Sequence, residues 1–236
     1  MKIIITGSEG FIGTNLLKKL SKNNFIEVLG IDIKKQNFFS NNYFFVKGDI
    51  SDKNKLDLLF SKINPNDKYI IIHLAAQTSA QISMENPCLD LRLNLYGLIN
   101  LIDYLEKLSN QPSLFIFSSS MAVYGSAKLA SDGFSEGQTL KPSSVYGYTK
   151  LTCERLLNMS GIKNLNLRLF NIYGPGQDFS NKKQGMVSIY MASLIKKNII
   201  NIKGSLERTR DQVYIDDLIN FLLNLVNNIE SYFTIF

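Results

Sequence analysis

The chain opens with Lys2-Ile3-Ile4-Ile5-Thr6-Gly7-Ser8-Glu9-Gly10-Phe11-Ile12-Gly13. A short β-branched run enters a turn with a glycine at every third position, and a segment with helical apolar spacing follows over 11–22. Glycines placed this way allow a tight turn, close approach of the backbone to a pyrophosphate, and tight packing of helix on strand. The helix N-terminus adds unpaired N–H groups and the positive end of a dipole, both suited to phosphate. The spacing is G-x-x-G-x-x-G, not the G-x-G-x-x-G of most dinucleotide sites. Its setting between a first strand and a first helix nevertheless points to dinucleotide binding.

Asp32 stands nineteen positions after Gly13, at the end of a second strand over 25–31. A carboxylate there accepts hydrogen bonds from adenosine ribose hydroxyls and repels a 2′-phosphate, which favours NAD over NADP. Lys34 and Lys35 follow closely and keep NADP open.

Strands and helices alternate through the rest of the chain. Strands are expected at 43–46, 69–73, 114–117 and 165–169, and helices at 53–63, 91–108, 146–159 and 216–228. This alternation predicts an α/β fold, a Rossmann-like doubly wound parallel sheet with helices on both faces. The stretches 125–141 and 174–184 read as long loops, which in compact domains are usually functional or mobile. The chain stops inside an apolar strand expected at 232–236, without a polar tail.

Composition narrows the function classes. The 236 residues are 45% hydrophobic and 19% charged, enough for a substantial core and against disorder. The net charge of +6 comes mostly from scattered lysines, such as Lys18-Lys19, Lys182-Lys183 and Lys196-Lys197. Without a stripe of interleaved aromatics these read as a solvated surface, not a nucleic-acid face. Cys88, Cys153 and the single histidine, His73, lack metal-ligand spacing, so no metal is expected. Free thiols suit a reducing cytoplasm. No apolar run has the length of a signal peptide or a membrane span, so no membrane partner is expected.

Further motifs sit at strand ends. His73-Leu74-Ala75-Ala76-Gln77 closes the fourth strand, where small residues let a cofactor lie against the backbone in the crevice of an open α/β sheet. His73, inside an apolar strand, reads as a packed, hydrogen-bonded residue. Ser118-Ser119-Ser120 ends the fifth strand, with a hydroxyl able to bond a reacting oxygen. Tyr146 and Lys150, in Ser-Val-Tyr-Gly-Tyr-Thr-Lys, lie four apart and so share a helix face. Free tyrosine, with a pKa near 10, is ionised in about one molecule per thousand at neutral pH. An ammonium beside the phenol favours the phenolate, and lowering the pKa by about three units, roughly 4 kcal/mol, makes a usable base. Alone the pair is common in helices; its companions give it meaning.

Together, the motifs at 6–13, 32, 49, 73–77, 94, 118–125, 146–150, 168–177 and 210–217 resemble an extended short-chain dehydrogenase/reductase of the NAD-dependent sugar epimerase/dehydratase family. They occur in family order over nearly the whole chain. The resemblance implies NAD contacts from Gly7, Gly10, Phe11, Ile12, Gly13, Asp32, Asp49, Ile50, Leu74, Ala75, Ala76, Gln77, Asn94, Ser118, Tyr146 and Lys150. Tyr146 matches the catalytic base, Lys150 its partner on the nicotinamide ribose, and Ser120 the hydroxyl residue on the substrate. Tyr148 is a rival base, but Thr152 occupies the position of its lysine. Asn171 matches a nucleotide-sugar contact and Arg210 a diphosphate contact, a task suited to the bidentate guanidinium. The resemblance divides the chain into an NAD-binding domain over 1–170 and a substrate-binding lobe over 171–236, interleaved with the sheet and lacking its C-terminal part.

The residues after Ser120 separate the reactions. Family dehydratases carry an Asp-Glu pair here, because eliminating water needs an acid and a base. This chain has Met121 and Ala122, similar to UDP-sugar 4-epimerases. The implied reaction is NAD-dependent epimerisation at C4 of a UDP-hexose or UDP-N-acetylhexosamine through a 4-keto intermediate. A nucleotide-sugar reductase of the same family and a shortened NAD-binding chain without turnover are the alternatives. Family members commonly dimerise through a four-helix bundle, for which the helices over 91–108 and 146–159 would serve.

Overall fold

The computed structural model describes residues 1–125, 133–180, 185–196, 199–200, 202 and 209–229. The strand expected at 232–236, parts of both long loops, and Lys182, Lys183 and Lys197 lie outside them.

Six strands form a parallel sheet in the order β3-β2-β1-β4-β5-β6: β1 (Lys2–Thr6), β2 (Glu27–Asp32), β3 (Tyr43–Lys47), β4 (Tyr69–His73), β5 (Leu114–Ser120) and β6 (Asn164–Leu169). The central strands β1 and β4 are almost wholly buried, which explains their unbroken isoleucine runs in place of polar alternation. The order reverses between β1 and β4, and the carboxyl ends of these two strands flank the crevice where open α/β sheets take ligands.

Each face of the sheet has its own core. Ile4, Leu29 and Ile71 point toward α2 (Lys53–Phe60), α5 (Gly97–Glu106) and α6 (Val145–Met159), meeting Leu56, Leu59, Leu101 and Leu157. Ile3, Ile5, Val28 and Ile72 point the other way, onto Leu16, Leu17 and Leu20 of α1 (Phe11–Leu20) and Ile219, Leu222 and Leu225 of α8 (Ile215–Asn227). α8, late in the chain, therefore packs back on the main core.

The connection from β4 to β5 differs from the expected single helix over 91–108. It comprises α3 (Ala80–Glu85), α4 (Pro87–Asp90), a π-helical stretch (Leu91–Tyr96) and α5. Asn86 breaks the first two apart by capping α4, its side chain accepting from the amide of Leu89, with Pro87 at the first helical position. Two three-residue strands, β7 (Asn171–Tyr173) and β8 (Gln212–Tyr214), pair in parallel to form a second small sheet, and α7 (Met186–Ile195) lies between them in sequence.

Candidate active site

The crevice between the ends of β1 and β4 opens into a cleft of about 790 Å³ that runs past β5 to β7 and α7. The glycine turn forms one end. Gly7 has φ +70°, and its amide donates to the carbonyl of Ile31 at 2.8 Å. A methyl group there would sit 2.7 Å from the amide nitrogen of Ala75, so the turn rests directly on the end of β4. A methyl group on Gly13 would sit 2.5 Å from the carbonyl oxygens of Gly7 and Ser8, so α1 rests as closely on the turn. Gly10 is the N-cap of α1, so no capping side chain takes up the first-turn N–H groups. Gly7, Gly10, Phe11, Ile12 and Gly13 all line it, as a phosphate cradle requires.

Asp32 ends β2 beside this turn. Its Oδ2 accepts from the amide of Glu9 and its Oδ1 from that of Lys34, both at 2.9 Å. Glu9 was not among the sequence candidates, yet it lines the cleft and is 5% exposed. Its Oε2 accepts from the amides of Asn37 and Phe38, at 2.8 and 3.3 Å, and its Oε1 from the Tyr43 hydroxyl at 3.1 Å. The sequence signal was a carboxylate inside a phosphate-type turn, which needs donors of its own. Asp32 itself is not among the residues that line the cleft, which has Glu9 and Lys34 at this end; its carboxylate instead holds the turn through the two backbone amides. The turn, the free helix terminus and the acidic ribose end fit a dinucleotide.

Several expected cofactor contacts stand behind the cleft wall instead of on it. Leu74 and Ala76 line the cleft; Ala75, Gln77 and Asn94 do not. Asn94 accepts from the amide of Gln77 at 2.7 Å and donates to its carbonyl at 2.9 Å, clamping the loop after β4 from beneath. Asp49 accepts from the amide and hydroxyl of Ser51, and Ile50 is buried in the core facing α5. His73 is packed: its Nδ1 lies 2.8 Å from the Thr6 hydroxyl, and its ring stacks on Phe117. Burial pushes its pKa down to about 3.

The end of β5 and the start of α6 bring the reactive groups together. Ser118, Ser120, Tyr146 and Lys150 line the same cleft. Ser144 caps α6 through the amide of Gly147 at 3.1 Å, which starts the helix where Tyr146 and Lys150 face inward. Tyr148 is 60% exposed on the outer face. Lys150, 2% exposed, donates to the carbonyl of Ser118 at 2.8 Å, and its Nζ lies 5.8 Å from the Tyr146 ring centroid. The expected lowering of the Tyr146 pKa does not hold in this state. Burial pushes the phenol up to about 12, and the Ser120 hydrogen bond only partly offsets it. Burial likewise lowers Lys150 to about 8. A pattern of residues reveals partners but not desolvation, which dominates both groups here.

The far end is formed by Leu169, Phe170, Asn171, Tyr173, Met186, Ser188 and Gln212. Asn171 lies opposite Gln212 across the small sheet, with its side-chain amide on the carbonyl of Asp211 at 3.0 Å. Arg210 is not among the lining residues; its Nη1 donates to its neighbour's carbonyl, that of Thr209. Met121 and Ala122, in a 3₁₀ turn, line the cleft beside Ser120.

A family model described as "NAD dependent epimerase/dehydratase family" matches residues 3–234. A putative UDP-glucose 4-epimerase of Methanocaldococcus jannaschii is 32% identical over 231 residues, 95% of this chain and 73% of the relative. Among solved structures, UDP-glucose 4-epimerase of Thermotoga maritima with UDP-glucose is 30% identical, with a TM-score of 0.80 over 93% of this chain and 71% of that one. UDP-glucose 4-epimerase of Thermus thermophilus in complex with NAD is 27% identical, with a TM-score of 0.83 over 95% and 74%.

Proposed function

The chain belongs to the NAD-dependent epimerase/dehydratase family, and from that membership we propose that it inverts C4 of a UDP-hexose or UDP-N-acetylhexosamine. One observation carries the choice within the family. Ser120, Tyr146 and Lys150 share the cleft, while the adjoining positions are Met121 and Ala122. Elimination of water needs an acid and a base beside the hydroxyl residue; inversion by oxidation and re-reduction needs a single proton-transfer group.

Bound NAD supplies the hydride acceptor and donor. The glycine turn and α1 terminus would hold its phosphates, Asp32 its ribose, and Leu74, Ala76 and Ser118 the wall beneath. Tyr146 takes the proton from the sugar hydroxyl and later returns it. Ser120 hydrogen-bonds the phenol and orients the same hydroxyl. Lys150 sets the local field and, with its ammonium fixed on Ser118, reaches toward the cofactor side. The segment from 171 contributes the substrate end, with Asn171 facing the nucleotide-sugar. Arg210 is proposed for the diphosphate, which requires its side chain to swing from Thr209.

Exposed Leu91, Tyr96 and Ile99 on one helix and Tyr148 and Met159 on another support pairing with a second copy through a four-helix bundle. Free Cys88 and Cys153 support a reducing cytoplasm. No helix among the described residues is long and apolar enough to cross a membrane.

Incubation with a panel of UDP- and dTDP-sugars plus NAD⁺ or, in parallel, NADH, with products resolved by chromatography, tests the reaction. Appearance of a C4 epimer supports it. Net consumption of NADH would replace it with a reductase, and NAD binding without any product would replace it with a chain that lacks turnover.

A further inference from the structure

Glu9 places an acid inside the glycine turn, on the cleft wall and almost out of reach of water. Its three hydrogen bonds come from the amides of Asn37 and Phe38, in the connection from β2 to β3, and from the hydroxyl of Tyr43, the first residue of β3. One side chain thus staples that connection to the turn. The Tyr43 hydroxyl also lies 2.9 Å from the Ser8 hydroxyl, and a methyl group on Gly30 would sit 2.4 Å from it. β2 must therefore be bare at residue 30 for the staple to close. Phe38 packs on Tyr43, with ring centroids 6.0 Å apart.

The donors to Glu9 are all neutral, and among the described residues no lysine or arginine pairs with it. Asp32 has a different task, with one oxygen on each of two backbone amides and no place on the cleft wall. The other charged residues that line the cleft are Lys34, Asp178 and, beside Tyr146, Lys150. Lys34 and Asp178 are exposed and opposite in sign, so water and salt screen them. A buried carboxylate without a cation is screened far less, and its field reaches into the cleft. At the glycine turn, Glu9 is therefore the charge that a bound dinucleotide meets most strongly.

We propose that Glu9 sets the choice between NAD and NADP: it fixes the connection beside the adenosine end, and its charge repels a phosphate on the adenosine ribose. The assignment rests on dinucleotide binding at the glycine turn and on no step of the proposed reaction.

NADH and NADPH differ only in that phosphate. The ratio of their affinities, from fluorescence titration of the 236-residue chain, isolates its effect. Glu9→Gln removes the charge and keeps the staple, with the amide oxygen on the two backbone amides and its nitrogen donating to Tyr43. NADPH affinity is expected to rise about tenfold relative to that of NADH, the size of a modest like-charge contact. NADH affinity itself should stay within about threefold. Glu9→Asp keeps the charge and shortens the staple. Both affinities are then expected to fall together by about three- to tenfold, as for one lost hydrogen bond, with their ratio unchanged. An unchanged ratio in Glu9→Gln would overturn the assignment, as would a larger shift of the ratio in Asp32→Asn. If Glu9→Gln folds poorly, Glu9→Asp still decides, because a ratio relaxed toward NADPH despite the retained charge would overturn it too. A wild-type chain that binds neither dinucleotide would overturn the cofactor reading of the turn, and this assignment with it. Absence of turnover would bear only on the proposed reaction.

Discussion

Lys150 Nζ sits 2.8 Å from the carbonyl oxygen of Ser118, on the strand that also delivers Ser120. The lysine is thereby pinned to β5, while Tyr146 at the start of the same helix meets Ser120. The proposed acid–base group is thus set across a strand–helix seam, with each partner fixed by the other element.

Tyr146→Phe removes the proposed proton-transfer group and leaves the ring in place. Turnover should fall by about 10³-fold or more, within the usual range for a positioned acid–base residue. NADH affinity should change by less than about threefold, because the glycine turn and Asp32 are untouched. Steady-state kinetics beside a fluorescence titration separate the two.

A phenol raised to about 12 by burial responds to nearby positive charge. The oxidised cofactor carries that charge on its nicotinamide and the reduced form does not. The Tyr146 titration, read as tyrosinate absorbance against Tyr146→Phe, should therefore lie lower with NAD⁺ than with NADH. Equal midpoints would mean that the nicotinamide lies far from the phenol.

His73 is the only histidine in the chain and has a folded pKa of about 3 against an ordinary value of 6.5. As pH falls through 6.5 the unfolded chain takes up a proton that the folded protein refuses. The stability is complete above 6.5 and is lost toward pH 3, at up to about 1.4 kcal/mol per unit. Urea unfolding between pH 6.5 and 5, above most carboxylate titrations, should show this slope, and His73→Asn should flatten it.

Gly13→Ala forces a methyl group onto two backbone oxygens that cannot move independently. The cost should be about 1–3 kcal/mol, as for overpacking generally. The shift of α1 away from the turn should also weaken NADH binding by about tenfold or more. Retained affinity with lost stability would place the phosphates away from the α1 terminus.

Arg168 and Glu154 form a partly buried pair that joins β6 to α6, with the Arg168 fork also on the Tyr124 hydroxyl at 3.2 Å. Arg168→Met strands the Glu154 carboxylate and should cost about 3–5 kcal/mol. Arg168→Met with Glu154→Leu should recover much of that loss in chemical unfolding.

The sheet was readable because β-branched runs in β1, β2 and β4 have no other packing solution than burial on both faces. The glycine turn and Tyr146–Lys150 were readable because each needs a fixed spacing. Other features left no such trace. The π-helical stretch Leu91–Tyr96 keeps an apolar stripe close to that of an α-helix, so the segment read as one continuous helix. β7 and β8, at three residues each, are too short for an alternation to register. Asp49, Ile50, Gln77 and Asn94 carry the right letters in the right order, but whether a side chain faces a cleft or supports its wall depends on packing across elements. The Tyr146 shift was missed for the same reason, since desolvation is a property of everything around the phenol.

The pairing of α8 with α1 has a consequence for biosynthesis. Leu16, Leu17 and Leu20 leave the ribosome early, yet their partners Ile219, Leu222 and Leu225 follow roughly 200 residues later. At about 5–20 residues per second, that interval is on the order of 10–40 s. Throughout it, that side of the sheet has α1 as cover but lacks the apolar face of α8 that completes its core. Chaperone dependence during translation should accordingly track the arrival of α8, not the completion of the sheet.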